Sequence, residues 1–424
     1  MCTALVIGNT IGIGIFMQPA SLAPYGFNAF IGWAITVVGC LVLALVFAGL
    51  ARRLVQADGP FEYIRATQGE GIAFLALWCY WVSTWVSNAA ISVGIVGYLT
   101  AVFPPLHAMP PALLSVALLW VLIAINLLGV RAGGRVQVVT TSLKLAPMAV
   151  VIALGLWTLL AEPTAYAQHL PTTPIGLPGV LAASTIALFA MLGLESAAVP
   201  AGRVRDPERT IPRATLVGTV LTAVIYLAVT AIALLVVPQE TLANSTSPFV
   251  DVLDRLAGAG GGRWLALFIV ISGLGALNGW TLLVGELTRC LAARGLMPGP
   301  VGRCNRYGAP AIALVVTGLL ATAVTLMNYS RSLVDGFTFL TIVVTAANLP
   351  LYLCCALALV VLWRRDRRSP PRSMLWLGLG GAGYSIFVFV GVGGEAFLWA
   401  LVLAAAGLPF YLWKRLRRRP EHAG

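Results

Sequence analysis

Three glycines near the start of the chain have the type and spacing to open a binding site inside a helix. Gly8, Gly12 and Gly14 lie in the apolar stretch "ALVIGNTIGIGIFMQPA", residues 4–20, although glycine is a poor helix former. A helix that breaks inside a membrane exposes backbone N–H and C=O groups, which are tolerated only where they line a cavity. The N–H groups that begin the second half-helix carry positive partial charge and bind carboxylates. The stretch therefore predicts a site for an anionic group.

Close packing of helices is the alternative explanation, because Gly8 and Gly12 have the spacing of small residues at membrane-helix contacts. A second interruption favours the binding site. The sequence "AMLGLES", residues 190–196, lies in the sixth apolar segment, five segments after the first. Since an odd offset reverses the direction of a segment across the membrane, the two breaks indicate an inverted repeat, in which interrupted segments mark the substrate site.

Lys144 and Glu195 are ionisable residues inside apolar segments. Lys144, in "TSLKLAPMAV", is one of two lysines in the chain, and a lysine at a helix centre costs about 2.5–3.5 kcal/mol on insertion scales. It is a functional candidate, but it is also close enough to the predicted cytoplasmic end of its segment to extend its amine to the membrane surface. Glu195 lies in the second break, where it either carries or gates protons or accepts hydrogen bonds from freed N–H groups. Both pairs of explanations stay open at this level.

The composition indicates which elements must position these residues. The chain has 424 residues, of which 59% are hydrophobic and 10% charged, with a mean hydropathy of +0.92, whereas soluble domains contain about 25% charged residues. A spanning helix needs about 20 apolar residues. About twelve such spans are visible, at residues 1–24, 28–50, 70–103, 111–129, 136–160, 176–201, 212–237, 262–294, 309–328, 333–363, 374–392 and 396–414. The sequence therefore predicts an all-α, polytopic membrane protein with about 12 transmembrane helices.

The 27 basic residues divide unequally between the two ends of these spans. With the N-terminus placed in the cytoplasm, 23 of them lie in cytoplasmic loops and the C-terminal tail, and only Arg255, Arg263 and Arg331 lie on the opposite side. This positive-inside bias predicts a multi-pass protein of the bacterial cytoplasmic membrane with both termini cytoplasmic. The basic face meets anionic lipid headgroups, so the net charge of +12 requires no nucleic-acid partner.

Other functional classes lack their sequence signatures. The seven cysteines and three histidines have no metal-ligand spacing, and no HExxH, nucleophile elbow or GxxxxGK[ST] loop occurs. We therefore expect no metal, no cofactor and no enzymatic activity. Channels need rings or filter repeats, and breaks at inverted positions favour a transporter instead. The chain starts almost inside its first apolar segment, which indicates a shortened N-terminus or a misassigned start.

Four motifs, in order along the chain, resemble one superfamily of transporters. They are "GNTIGIGIFMQPASLAPYG" in span 1, "ADGPFEYIRATQGEGIAFLALWCYWVS" before and within span 3, "GLESAAVPAGRVRDPERTIPRAT" at and after the second break, and "NGWTLLVGELTRCLAARGLMP" in span 8. The resemblance covers essentially the whole chain. It is to the amino-acid/polyamine/organocation (APC) transporter superfamily, and within it to the basic amino-acid/polyamine antiporter branch, which includes the bacterial arginine–agmatine antiporter.

The resemblance implies a five-plus-five inverted repeat with broken helices 1 and 6. The two repeats would occupy residues 1–160 and 175–365, and residues 366–424 would supply helices 11 and 12 and a basic cytoplasmic tail. It also implies a secondary active transporter that forms homodimers and moves amino acids, or exchanges an amino acid for an amine, by alternating access. The substrate carboxylate would lie on the break in helix 1.

By position, the resemblance assigns substrate contacts to Asn9, Ile11, Gly12, Ile13, Gly14, Tyr80, Thr84, Asn88, Phe189, Ala190 and Trp280. Tyr80 and Trp280 would act as gates, although core or interfacial packing is also an ordinary role for membrane aromatics. Lys144 would take the place of a sodium ion, which implies sodium-independent transport. Glu195 would take part in proton coupling or gating.

Three positions depart from the arginine–agmatine antiporter. Ile13 replaces a serine, Phe189 replaces the tryptophan that stacks on the guanidinium, and Ala190 replaces a second serine. Phenylalanine is a weaker cation–π partner than tryptophan, so the pocket suits an apolar or neutral amino acid at least as well as arginine. Arginine–agmatine antiport and proton-coupled symport therefore stand as alternatives to a more general amino-acid transport.

Overall fold

The computed structural model describes residues 11–54, 57, 59–128, 144–193, 207–258, 260–328, 330–366 and 371–417. Within these ranges the regular structure is helical, and no strand occurs. The helices are α1 (Gly14–Leu22), α2 (Phe27–Arg53), α3 (Pro60–Gln68), α4 (Glu70–Val102), α5 (Pro111–Leu127), α6 (Leu145–Ala161), α7 (Leu177–Met191), α8 (Pro207–Val236), α9 (Gln239–Ala243), α10 (Pro248–Ala257), α11 (Gly262–Ala293), α12 (Ala311–Met327), α13 (Leu333–Arg365), α14 (Arg372–Val390), α15 (Gly394–Ala405) and α16 (Leu408–Arg417).

The helices confirm the prediction of a polytopic membrane protein. Seven helical segments are long and apolar enough to cross a membrane, and four shorter apolar helices, α5, α6, α7 and α12, accompany them. When α1 is added, every predicted span contains a described helix. Hydropathy succeeds here because a long apolar segment can satisfy its backbone in a bilayer only by forming a helix.

Helices α4 and α13 form the centre of the bundle. Both have 33 residues, and 89% and 72% of the residues in their most apolar 18-residue stretches are buried. They pack against each other, and α4 also packs against α11. Helices that are buried on all sides carry apolar residues all round, which leaves their few polar groups in the interior. In the segment Gly394–Leu412, only 17% of the most apolar stretch is buried, so this segment lies at the periphery.

Both predicted breaks coincide with the end of a helix. α1 begins only at Gly14, and residues 11–13 are not helical. α7 ends at Met191, where Leu192 is extended and Gly193 has a φ of 102°. At about 1.5 Å per residue, neither a nine-residue α1 nor a fifteen-residue α7 crosses the roughly 30 Å hydrocarbon core alone. The repeat boundaries themselves, 1–160 and 175–365, stay a prediction.

Ion pairs join helix ends and loops at each end of the bundle. Arg53 Nη1, at the end of α2, lies 2.6 Å from Oδ2 of Asp366, which follows α13, and the charge count assigns both residues to the cytoplasmic side. Arg331 Nη2 lies 2.5 Å from Oε1 of Glu395 in the first turn of α15, and both are assigned to the other side. Exposed pairs of this kind add little stability. They show that segments predicted to share a side do meet, while the side that faces the cytoplasm stays a prediction.

Candidate substrate-binding site

A small cavity lies where the two interruptions meet. Its volume is about 20 Å³, which is close to the space that one water molecule needs. Four parts of the chain form its walls: the first break, α4, α11 and the C-terminal end of α7. The lining residues are Gly12, Ile13, Gly14, Ser87, Ile91, Phe189, Ala190, Leu192 and Trp280. Six of these residues are among the candidates from the sequence, and the fold thus brings both breaks to one point.

The start of α1 forms one wall of this cavity. The Ile13 carbonyl accepts hydrogen bonds from the N–H groups of Phe16 at 3.1 Å and Met17 at 3.2 Å, so Ile13 is the N-cap and Gly14 the first helical residue. No side chain caps this end, and no acidic residue lies in its first turn. The positive partial charge of the helix start is therefore not offset by a carboxylate in that turn, as an anion site requires.

Gly14 allows α1 and α7 to approach each other closely. A Cβ atom at this position would lie 3.0 Å from Cε1 of Phe189 and 3.7 Å from Cα of Ala190. The first distance is shorter than an ordinary carbon–carbon contact of about 3.5–4.0 Å. Only glycine fits this point without displacing the Phe189 ring.

Ile13, which replaces a serine in the resemblance, packs between two glycines. A Cβ atom on Gly94 of α4 would lie 3.0 Å from Cγ1 of Ile13, and one on Gly273 of α11 would lie 3.2 Å from its Cδ1. The Ile13 side chain is fully buried. The larger residue is thus accommodated by small partners, and it joins α1, α4 and α11 through packing rather than through a hydroxyl group.

The candidates on α4 lie on, or one step round from, the face of that helix that lines the cavity. Ser87 and Ile91, four residues apart, line the cavity. Tyr80, Thr84 and Asn88 are buried on α4 but do not line it. Successive residues of a helix are rotated by about 100°, so Tyr80 and Thr84 fall on the same face as Ser87 and Ile91, nearer the start of α4, whereas Asn88 lies one step round from Ser87. The sequence analysis missed Ser87, and the role of the other three residues stays a prediction.

Buried polar side chains hold the start of α1 in place. Gln18 is fully buried, and its Nε2 donates to the Ile186 carbonyl of α7 at 2.6 Å. The Tyr98 hydroxyl of α4 donates to the Phe16 carbonyl at 2.6 Å, and the Gly12 N–H donates to the Tyr226 hydroxyl of α8. The sequence signal for Gln18 was present but unused: it is a polar residue four positions after Gly14 in an apolar stretch.

Gln18→Leu should lower the stability of the protein by about 1 kcal/mol, because it removes a buried hydrogen bond between α1 and α7. The thermal unfolding midpoint in detergent measures this change. Ser385→Ala is the matched control, since Ser385 is equally buried but donates only within α14, to the Gly381 carbonyl at 2.8 Å. Equal midpoints for the two variants would contradict a tether between the half-helices.

Lys144 lies directly before α6 and is 1% exposed. This burial does not fit a side chain that extends to the membrane surface, which was one of its two interpretations. Ile11 is buried beside the break, but neither it nor Lys144 lines the cavity. Asn9 and Glu195 lie outside the described residues, so the structure gives no geometry for them.

Comparisons with known proteins agree with this architecture. A family model described as amino acid permease matches residues 2–409. The chain is 33% identical over 425 residues to a "Putative arginine/ornithine antiporter" of Bacillus subtilis, with 92% of this chain and 90% of the relative covered.

Two further relatives have a similar extent of match. The chain is 31% identical over 361 residues to a cadaverine/lysine antiporter of Escherichia coli, which covers 84% of this chain and 81% of the relative. It is 28% identical over 412 residues to a putrescine transporter of Haemophilus influenzae, which covers 96% and 94%. The similarity therefore extends across nearly the whole membrane domain.

Proposed function

The chain belongs to the amino acid permease family, and on that basis we propose that it exchanges an α-amino acid for a second amino acid or an amine, independently of sodium. The names of its relatives support exchange, because those proteins are antiporters of arginine and ornithine or of cadaverine and lysine. In this proposal the protein lies in the bacterial cytoplasmic membrane with both termini inside. Membrane lipids and a second copy of the chain are its other partners.

The start of α1 is the observation that carries this proposal. It faces a cavity shared with the end of α7, and its first turn holds no acidic residue. A substrate carboxylate placed there meets backbone N–H groups and the positive end of the helix dipole. Glycine at Gly12 and Gly14 lets that carboxylate approach the backbone closely.

The remaining walls suit the rest of an amino acid. Ile91, Phe189 and Leu192 offer apolar surface, which packs equally well on an aliphatic side chain and on the methylene chain of a basic one. The Ser87 hydroxyl donates to the Ser83 carbonyl at 2.7 Å, so its oxygen keeps acceptor capacity for a substrate ammonium group.

The size of the cavity supports alternating access. Ligand pockets commonly measure about 300–1,000 Å³, whereas this cavity has about 20 Å³. A substrate can therefore enter only when α1 or α7 moves away from its neighbours. Such rocking of a half-bundle around a central site is the usual cycle of inverted-repeat transporters.

Counterflow in proteoliposomes tests the proposal. Purified protein is reconstituted into vesicles that contain arginine, ornithine, lysine, putrescine, cadaverine, a neutral amino acid or buffer alone, and uptake of labelled amino acid is followed without sodium. Exchange requires uptake that depends on an internal substrate. Accumulation driven by a pH gradient in buffer-loaded vesicles would replace exchange with proton symport, and no uptake under any condition would overturn the proposal.

A further inference from the structure

A second and much larger cavity lies at the end of the bundle that the charge distribution predicts to be external. Its volume is about 390 Å³, which is within the range of small-molecule pockets. It lies where α12 ends and where α5 and α13 begin. Its polar lining residues are His107, Ser115, Thr325, Asn328, Arg331 and Ser332. We refer to it below as the outer cavity.

The small cavity between the two interruptions, called the central cavity below, is connected to the outer cavity through adjacent residues of α4 and α13. On α4, Val93 lines the outer cavity, while the next residue, Gly94, packs against Ile13 of the central cavity. On α13, Gly336 lines the outer cavity. The next residue, Phe337, is fully buried and makes an edge-to-face contact with Phe189 at 6.0 Å between ring centroids. On each helix, a residue that lines the outer cavity is therefore followed by one that contacts a wall residue of the central cavity.

Arg331 is the one aspartate, glutamate, lysine or arginine among the residues that line the outer cavity in the described structure. The guanidinium has two partners that do not line this cavity, because its Nη2 pairs with Glu395 at 2.5 Å and it lies 4.3 Å from the centre of the Phe339 ring. The nearby Asp335 carboxylate is bonded to the Ser332 hydroxyl at 2.7 Å. A guanidinium has five N–H donors, so Arg331 can bind a further carboxylate while it keeps Glu395.

We propose that the outer cavity is a selective first site for external substrates, at which Arg331 binds the α-carboxylate of an amino acid before it reaches the central cavity. The inference rests on the exchange function proposed above. An amine formed by decarboxylation has no carboxylate, so it cannot make this contact with Arg331. The site therefore favours uptake of the amino acid and release of the amine, and Phe337 and Phe189 form the partition between the two cavities.

Arg331→Ala tests this inference in intact cells, where only the external face is presented with labelled substrate. The KM for the external amino acid should rise about tenfold, the amount that loss of one charge-assisted interaction predicts. The KM for the corresponding amine should stay unchanged or fall. Arg331→Lys keeps the positive charge but cannot form two parallel hydrogen bonds to a carboxylate, so it should give an intermediate KM for the amino acid.

Glu395→Gln is the matched control, because it removes the same ion pair and leaves the guanidinium in place. It should leave the preference for the amino acid over the amine intact. Equal effects of Glu395→Gln and Arg331→Ala on both substrates would overturn the inference in favour of a structural ion pair. An Arg331 effect that appears only in vesicles containing anionic phospholipid would assign the site to a lipid headgroup and overturn it as well.

The outcomes also separate this inference from the proposed function. If wild-type protein exchanges neither amino acids nor amines, the proposed function fails, and the outer site fails with it. If exchange is intact and Arg331→Ala changes neither KM, only the outer site fails. Arg255→Ala, at an external arginine that does not line the outer cavity, should leave both KM values at their wild-type levels.

Discussion

Gly14→Val is expected to abolish substrate exchange while leaving the protein in the membrane. A Cβ atom at this position already lies 3.0 Å from Cε1 and 3.2 Å from Cδ1 of Phe189. The methyl groups of valine extend further, into a cavity of about 20 Å³. The start of α1 and the end of α7 form part of the walls of that cavity. We therefore expect the substitution to fill the site and to force the two helices apart. Binding of a labelled amino acid to purified protein, measured by scintillation proximity, should fall to background.

Gly383→Val provides the matched control for this substitution. Gly383 lies in α14, and a Cβ atom there meets no other atom within 4 Å, so binding and exchange should be retained. Recovery of binding in a Gly14→Ala, Phe189→Leu double variant, relative to Gly14→Ala alone, would attribute the loss to the contact with the Phe189 ring. Wild-type binding by Gly14→Val would remove the carboxylate site from the start of α1.

Lys144→Met is expected to reduce exchange by more than about tenfold, equivalent to roughly 1.4 kcal/mol in a rate or binding step. Lys144 is 1% exposed and is the one charged side chain among the buried residues of the described structure. A charge is retained inside a membrane protein at a considerable free-energy cost, which is why such residues are usually functional. Methionine keeps the length of the side chain and removes the ammonium group, so the change concerns charge rather than volume.

The thermal unfolding midpoint separates a functional from a structural role for Lys144. Lys144 has an interaction partner in the structure, and loss of one partner of a buried charged contact lowers stability. Lost exchange with a midpoint close to that of the wild type would therefore indicate a functional role, whereas a parallel fall in exchange and midpoint would indicate a structural one. Lys414→Met, at the only other lysine in the sequence, should keep wild-type activity. Lys144→Met protein that exchanges at the wild-type rate would exclude Lys144 from the mechanism.

Helix positions could be predicted well from the sequence alone. The span predicted at residues 70–103 corresponds to α4, Glu70–Val102, and the one at 262–294 corresponds to α11, Gly262–Ala293. Hydropathy defines these bounds because the bilayer forces apolar segments to be helical over their whole length. The interruption of span 1 could be predicted for a related reason, since glycines in a long apolar segment lower its helical propensity at one point.

The rotation of the central helices could not be predicted in the same way. α4 is apolar on every side because it is buried on every side, and such a helix has no amphipathic stripe that identifies the face toward the site. The resemblance indicated Asn88, which lies one step round the helix from Ser87, and it did not indicate Ser87 or Ile91, which line the cavity. Gln18 and Ile186, which are 168 positions apart, could not be paired from local pattern either, because their contact depends on how distant helices pack.

In the proposed exchange cycle, the hydrogen bond from Gln18 to α7 has a consequence for the coupling between inward and outward transport. Because this bond joins α1 to α7, the two helices would move together, so that opening a path to one face of the membrane closes the path to the other. A continuous pore, through which ions or solutes would leak down their gradients without any return cargo, requires the two helices to separate. In the proposed cycle, the bond therefore acts against a leak through the protein.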